Sequence, residues 1–277
     1  MQRYFAKNKE EDKLILRDSD IRHIKKVMRM KTADKIEVVY DSKLYLCKIV
    51  NIDDFDIAIL EEKEEDNELA VEIVIAIALV KEQKFDLILQ KLTELGVSKI
   101  LPLKMERNVI KLDDNKFLKK KERWESICKE ASEQSHRNLV PEILPMMSLK
   151  ELISEDADLK MVASVKENDN LLNNYLQNKK NCAKMIVVIG PEGGISPKEE
   201  EFLNANGYTS ISFGSRVLRV ETAAIYIASI LNYINMRWRY EVFGRLLYKF
   251  EHYWFGSFLD NSFYCFIAPF FNNCFVC

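Results

Sequence analysis

Met185-Ile186-Val187-Val188-Ile189 runs without a polar residue into Gly190-Pro191-Glu192-Gly193-Gly194-Ile195. Tyr208 to Phe213 then leads into Gly214-Ser215-Arg216-Val217-Leu218-Arg219-Val220-Glu221-Thr222-Ala223-Ala224. A short apolar run that stops at glycine reads as a buried strand of a parallel sheet. Three glycines within five residues let the backbone approach a ligand closely. The pair predicts two loops at the C-terminal ends of neighbouring strands, where open α/β sheets bind ligands. No Gly-Lys-Ser/Thr follows the first loop and the dinucleotide spacing of glycines is absent, so neither a P-loop nor a dinucleotide fingerprint is present.

Outward from this pair, residues 71–234 alternate strand and helix, the pattern of an α/β domain with a mostly parallel sheet. Val71 to Val80 is the first strand and Val97 to Leu103 the next. Between them, Phe85, Ile88, Leu89, Leu92 and Leu95 fall on one helical face that Gly96 terminates. Phe117 to Arg137 is a long helix with Trp124, Ile127, Cys128 and Ala131 inward. Ser148-Leu149-Lys150-Glu151 and Ser196-Pro197-Lys198-Glu199 are helix starts of the capping-box type. Residues 1–66 read instead as a small β-barrel. The strands Lys35 to Val39 and Leu44 to Val50 flank the turn Asp41-Ser42-Lys43, Phe55 to Leu60 adds another, and a helix covers Asp18 to Met28. The acidic stretch Glu61 to Glu68 reads as a linker.

At 277 residues the chain accommodates two domains, and its net charge of −2 excludes a uniformly basic nucleic-acid binder. Arg22, His23, Lys25, Lys26, Arg29 and Lys31 nevertheless cluster within ten residues of an otherwise acidic region. Met1 to Lys13 is polar and charged, unlike a signal peptide, and no apolar run reaches membrane-spanning length. The six cysteines form no disulfide framework, which points to reduced thiols and a cytoplasmic setting. Cys265, Cys274 and Cys277 with His252 are spaced too irregularly for zinc, and no metal site is expected. Residues 235–277 carry more than half of the chain's aromatics and read as an anomalous tail without assigned function.

The paired glycine loops, with Arg3-Tyr4-Phe5, His23 to Lys31, Gln90 to Val97, Pro102 with Glu106-Arg107, and Arg123-Trp124 with Glu130 to Ser135, resemble the 16S ribosomal RNA (uracil-N3)-methyltransferases. These belong to the SPOUT class of methyltransferases, with a trefoil-knotted catalytic domain behind a PUA-like barrel. The resemblance covers roughly residues 1–234. It implies S-adenosylmethionine as cofactor, methyl transfer to N3 of a uridine in the decoding region of 16S rRNA within the small subunit, and a homodimer.

The resemblance places the cofactor against Ile189, Gly190, Pro191, Glu192, Gly193, Gly194 and Ile195 in one loop, and against Gly214, Val217, Leu218, Thr222 and Ala223 in the other. Arg107, Arg219 and Glu221 are the candidate catalytic residues, because a loop arginine can stabilise a developing uracil anion and a carboxylate can take its proton. Arg216, Arg219 and Glu221 read alternatively as a surface salt-bridge cluster, whereas Arg219, directly ahead of the last helix, otherwise suits positioning RNA or the target base. Arg3, Arg22, Lys25, Lys26 and Arg29 are the candidate phosphate contacts. Glu94 reads as the partner of Lys91, and His136 as a surface or packing residue rather than a base. Relatives often carry glycines at the barrel turns, whereas residues 1–95 have none and Ala33 and Ser42 stand there instead. Two other readings are an enzyme of the same class acting on another RNA site, and an RNA-binding protein inactivated by its tail.

Overall fold

The computed structural model describes residues 1–11, 13–110, 112–177 and 182–236, so the aromatic tail from 237 and its cysteines lie outside the described residues. Residues 1–233 form one compact unit.

The N-terminal part holds strands β1 (Arg3–Phe5), β2 (Asn8–Glu10) and β3 (Lys13–Ile15), helix α1 (Asp18–Arg22), and strands β4 (Lys35–Tyr40), β5 (Lys43–Asn51) and β6 (Asp56–Lys63). β1, β4, β5 and β6 form a four-stranded sheet in that order, with β1 parallel to β4, and β2 pairs with β3 as a hairpin. Its core is Tyr4, Leu14, Leu16, Ile24, Ile36, Val38, Cys47 and Ile49, contributed by alternate strand positions and one face of the helix. The expected helix over Asp18 to Met28 is shorter: α1 gives way to a π-helical turn over His23–Val27, which carries Lys25 and Lys26. The expected linker is also shorter, because Glu61 to Lys63 belong to β6.

The barrel turns keep glycine-like backbone without glycine. Asp41 and Ser42 have φ of 49° and 61°, and Ala33 has φ of 78°. Because Tyr40 pairs with Lys43, the first two form a two-residue hairpin turn that needs positive φ at both centres. Ala33 is exposed and donates its N–H to the Ile49 carbonyl, which holds it in that conformation.

The larger part is built on a seven-stranded parallel sheet. Its strands are β7 (Glu72–Ala78), β8 (Lys99–Lys104), β9 (Glu142–Ile143), β10 (Met147–Ser148), β11 (Leu159–Ala163), β12 (Lys184–Ile189) and β13 (Thr209–Ile211). The order is β10-β8-β7-β12-β11-β13, with β9 also on β8. β12 and β13 are therefore not neighbours as the sequence reading supposed, since β11 lies between them and pairs in parallel with both. The helices are α2 (Glu82–Glu94), α3 (Asp114–Gln134), α4 (Leu149–Leu152), α5 (Leu172–Gln177), α6 (Pro197–Ala205) and α7, residues 220–236. α4 and α6 start with the two expected capping boxes at Ser148 and Ser196. α2 and α3 pack through Phe85, Phe117 and Trp124, with the Phe85 and Trp124 ring centroids 4.6 Å apart.

Buried charges join the barrel to this domain. Arg3, only 1% exposed, gives its guanidinium to Glu37, Glu65, the Asn138 side chain and the His136 carbonyl. Lys129 on α3 pairs at 2.7 Å with both Asp20 on α1 and Glu133. Arg137 donates to the Thr93 and Val97 carbonyls and pairs with Glu68. The region read as an acidic linker thus supplies carboxylates to buried arginines. Burial raises the pKa of Glu37, but hydrogen bonds from Lys63 and Arg3 outweigh it and hold the carboxyl below its ordinary value.

Two outcomes follow for stability. Ala33→Gly is expected to stabilise the fold by about 0.5–1 kcal/mol in chemical denaturation, because it relieves positive φ in a side-chain-bearing residue. Glu37→Gln is expected to cost about 3 kcal/mol at neutral pH, by leaving Arg3 underpaired. Because the folded pKa of Glu37 is depressed, its contribution is complete above the unfolded carboxylate range and is lost as pH falls through the folded value. The variant should accordingly show a flatter acid limb than the wild type when stability is titrated against pH.

Candidate active site

The C-terminal ends of β11, β12 and β13 open into one cleft of about 850 Å³, mouth included. Its floor and walls come from Ala163 to Lys166 after β11, from Ile189, Gly190, Pro191, Gly194 and Ile195 after β12, and from Phe213 to Leu218 after β13. Val220 and Ala223 at the start of α7 close one side. A cleft with apolar walls and a few polar groups, at strand ends where the chain order reverses, suits a small organic ligand.

The first loop is shaped by Gly190. A Cβ there would lie 2.5 Å from Cγ1 of Ile195 and 3.2 Å from its backbone nitrogen, so no side chain fits without moving the loop. Gly194 has φ of 73° and closes a turn by donating its N–H to the Pro191 carbonyl at 2.8 Å. Gly214, with φ of 101°, makes the corresponding bend after β13 and donates its N–H to Ser212 Oγ. Among the described residues, the backbone of 215–218 makes no backbone hydrogen bond, which leaves its N–H and C=O groups open to a ligand.

Of the residues proposed from the sequence to hold a cofactor, Ile189, Gly190, Pro191, Gly194, Ile195, Gly214, Val217, Leu218 and Ala223 line this cleft. Glu192 and Gly193 lie in the same loop outside its lining, and Thr222 is exposed on α7. Ser164, Val165, Lys166 and Asn168 were missed in the sequence. They follow β11, and the apolar run Met161-Val162-Ala163 at its end was the available signal. Only the strand order places it between the two glycine loops.

Arg107 donates from Nη1 to the Gly193 carbonyl at 3.0 Å, so its guanidinium braces the outside of the glycine loop. Glu221 lies in the first turn of α7. Its Oε2 is buried without a hydrogen bond among the described residues, and Lys84 Nζ lies 3.8 Å away. Arg216 and Arg219 are exposed beside the cleft, and among the described residues neither pairs with a carboxylate. A surface salt-bridge cluster is therefore not what holds them there.

The proposed phosphate contacts separate into two kinds. Arg22, Lys26 and Arg29 are exposed on α1 and the residues after it, and Lys25 is half-buried with Nζ on the Asp53 carbonyl. Arg3 is a correction: its guanidinium is buried and saturated, so it cannot meet a phosphate. His136 is partly exposed. Its carbonyl accepts from Arg3 and Asn67, and its Nδ1 lies 3.4 Å from Glu37. Lys91 pairs with Glu94 at 2.8 Å, as expected.

Known proteins bear the same two-part plan. Residues 67–232 match the RNA methyltransferase domain family, and residues 16–62 match the RNA methyltransferase PUA domain family. Ribosomal RNA small subunit methyltransferase E of Bacillus subtilis is 34% identical over 248 residues, covering 84% of this chain and 96% of that protein. The protein of the same name from Mesomycoplasma hyopneumoniae is 34% identical over 229 residues, covering 82% and 97%. A structure of the Neisseria gonorrhoeae protein of that name, bound to S-adenosyl methionine, aligns with a TM-score of 0.75 at 26% identity over 84% of this chain and 98% of that one. A putative methyltransferase from Legionella pneumophila with bound cofactor SAM aligns with a TM-score of 0.77 at 28% identity, over the same shares of both chains.

Gly190→Ala is expected to abolish ligand binding in the cleft while leaving the melting temperature within a few degrees of wild type, since the clash is confined to Ile195 in the loop. Calorimetric titration with S-adenosylmethionine alongside thermal denaturation checks both halves. With a parallel sheet behind a PUA domain, and a glycine-shaped cleft at its strand ends, the chain belongs to the ribosomal RNA small subunit methyltransferase E family of RNA methyltransferases.

Proposed function

We propose that this protein transfers a methyl group from S-adenosylmethionine to N3 of one uridine in the decoding region of 16S rRNA, acting on the small ribosomal subunit in the cytoplasm as a homodimer. The observation that carries this reading is the cleft shaped by Gly190, with two exposed arginines beside it that pair with no carboxylate among the described residues. The residues present fit the cofactor. Ile189, Ile195 and Leu218 offer apolar walls to an adenine ring, and the open backbone of 215–218 offers hydrogen bonds to its edge. Bound there, S-adenosylmethionine supplies a methyl group on an electrophilic sulfonium.

Methyl transfer of this kind is an in-line displacement that depends on alignment. The chain's remaining task concerns the uracil. N3 bears a proton and is a poor nucleophile until that proton leaves. Negative charge then spreads to O2 and O4, where an arginine side chain stabilises it by hydrogen bonding and charge. Arg219 is assigned this role because it is exposed, unpaired among the described residues, and immediately ahead of α7. Glu221, directly or through a water, accepts the proton. Arg107 acts from behind the loop and supports its shape.

The barrel supplies phosphate contacts through Arg22, Lys26 and Arg29, with Lys25 beside them, which position RNA without reading its sequence. A base held in structured RNA must leave its stack to reach the cleft. A second copy of the chain accounts for exposed apolar side chains near the site, since Val217 and, on α7, Tyr226 and Tyr233 are left uncovered.

The test is methylation of small subunits that lack N3-methyluridine, with labelled cofactor and identification of the nucleoside by mass spectrometry. The expected product is N3-methyluridine at one position, with the rate reduced about 100-fold in Arg219→Ala. A different methylated nucleoside would assign the enzyme another RNA target. Absence of transfer by the full chain would favour an RNA-binding protein without activity.

A further inference from the structure

The two walls of the cleft are not joined to each other. Among the described residues, no hydrogen bond connects the 190–195 loop to residues 213–223, and the one backbone bond inside the first loop is from Gly194 to Pro191. Among the described residues, Lys84 is the side chain that ion-pairs with both. Its Nζ lies 3.2 Å from Glu192 Oε1 in the glycine loop and 3.8 Å from Glu221 Oε2 at the start of α7. The second oxygen is buried and accepts no hydrogen bond among the described residues, so this ammonium is its nearest compensation.

Lys84 stands on a firm base. It lies in the first turn of α2, next to Phe85, which is packed on Trp124. Arg123 on α3 pairs with Glu82 and Asp86 on either side of it. A lysine held at its root, with its ammonium shared between two carboxylates on separate walls, can fix their spacing. We propose that Lys84 is a positioning residue for methyl transfer, clasping the glycine loop to α7 so that the cofactor cleft keeps its width. The inference rests on the function proposed above, and it assigns a role to a residue outside the cleft lining.

The ion pairs are partly exposed, which sets their size and makes them sensitive to salt. In the full-length protein, Lys84→Met is expected to weaken S-adenosylmethionine binding roughly five-fold at low ionic strength, by calorimetric titration. The KM for the cofactor should rise by a similar factor with a smaller change in kcat. Lys84→Arg should restore most of the affinity. In molar salt, wild type and Lys84→Met should converge, and their melting temperatures should agree throughout. The inference is overturned if Lys84→Met binds the cofactor as wild type does, if Lys84→Arg loses as much as Lys84→Met, or if the loss of affinity tracks a loss of thermal stability. Wild-type protein that binds no cofactor would overturn the proposed function, and this inference with it, before the variant is measured.

Discussion

The placement of β12 constrains everything built around the cleft. All six of its residues pair with β7, and four pair with β11 on the other side. A strand bonded along both edges and buried on both faces cannot be satisfied by polar side chains, which is why Met185 to Ile189 is uninterrupted apolar sequence. Its C-terminal end has no such cover. The chain must leave the sheet there, and it does so through glycines that keep the turn tight against Ile195. Because β11 separates β12 from β13, three strand ends open at one place. The cleft is the space between their loops.

A second constraint is electrostatic. The barrel is fixed to the catalytic domain by buried charges: Lys129 pairs across with Asp20, Arg3 beside Glu37 reaches across to Asn138 and the His136 carbonyl, and Arg137 holds the connecting segment through Glu68. Such groups are costly to bury and are tolerated only when saturated by partners. Here they are saturated from both domains at once: Arg3 by Glu37 of the barrel and by Asn138 beyond α3, and Lys129 by Asp20 and by Glu133. Breaking the interface would leave these charges with only part of their compensation. The exposed basic groups that follow α1 are thereby held at a set position relative to the cleft.

The loops around the cleft are held in a different way. Arg107 and Lys84 reach them from outside, through single hydrogen bonds and partly exposed ion pairs. Interactions of this size are individually small beside the packing that holds the sheet beneath.

The local signals in the sequence were legible because they depend on neighbours along the chain. Capping boxes at Ser148 and Ser196, the apolar strand before Gly190, and the inward face of α2 are set by spacing alone. The glycine loops were legible for the same reason. What the sequence could not determine was which residues far apart in the chain would compensate one another. Arg3 reads as a surface cation until Glu37 and Asn138 surround it, and Glu68 reads as a linker charge until Arg137 lies against it. Ala33 and Ser42 hide positive φ values because the hydrogen bonds of the barrel, rather than residue preference, impose them. The place of β11 between the two glycine loops, and of Lys84 between Glu192 and Glu221, was likewise decided by the folded sheet. Secondary structure follows periodicity, whereas charge pairing and strand order follow from which surfaces the packed core brings together.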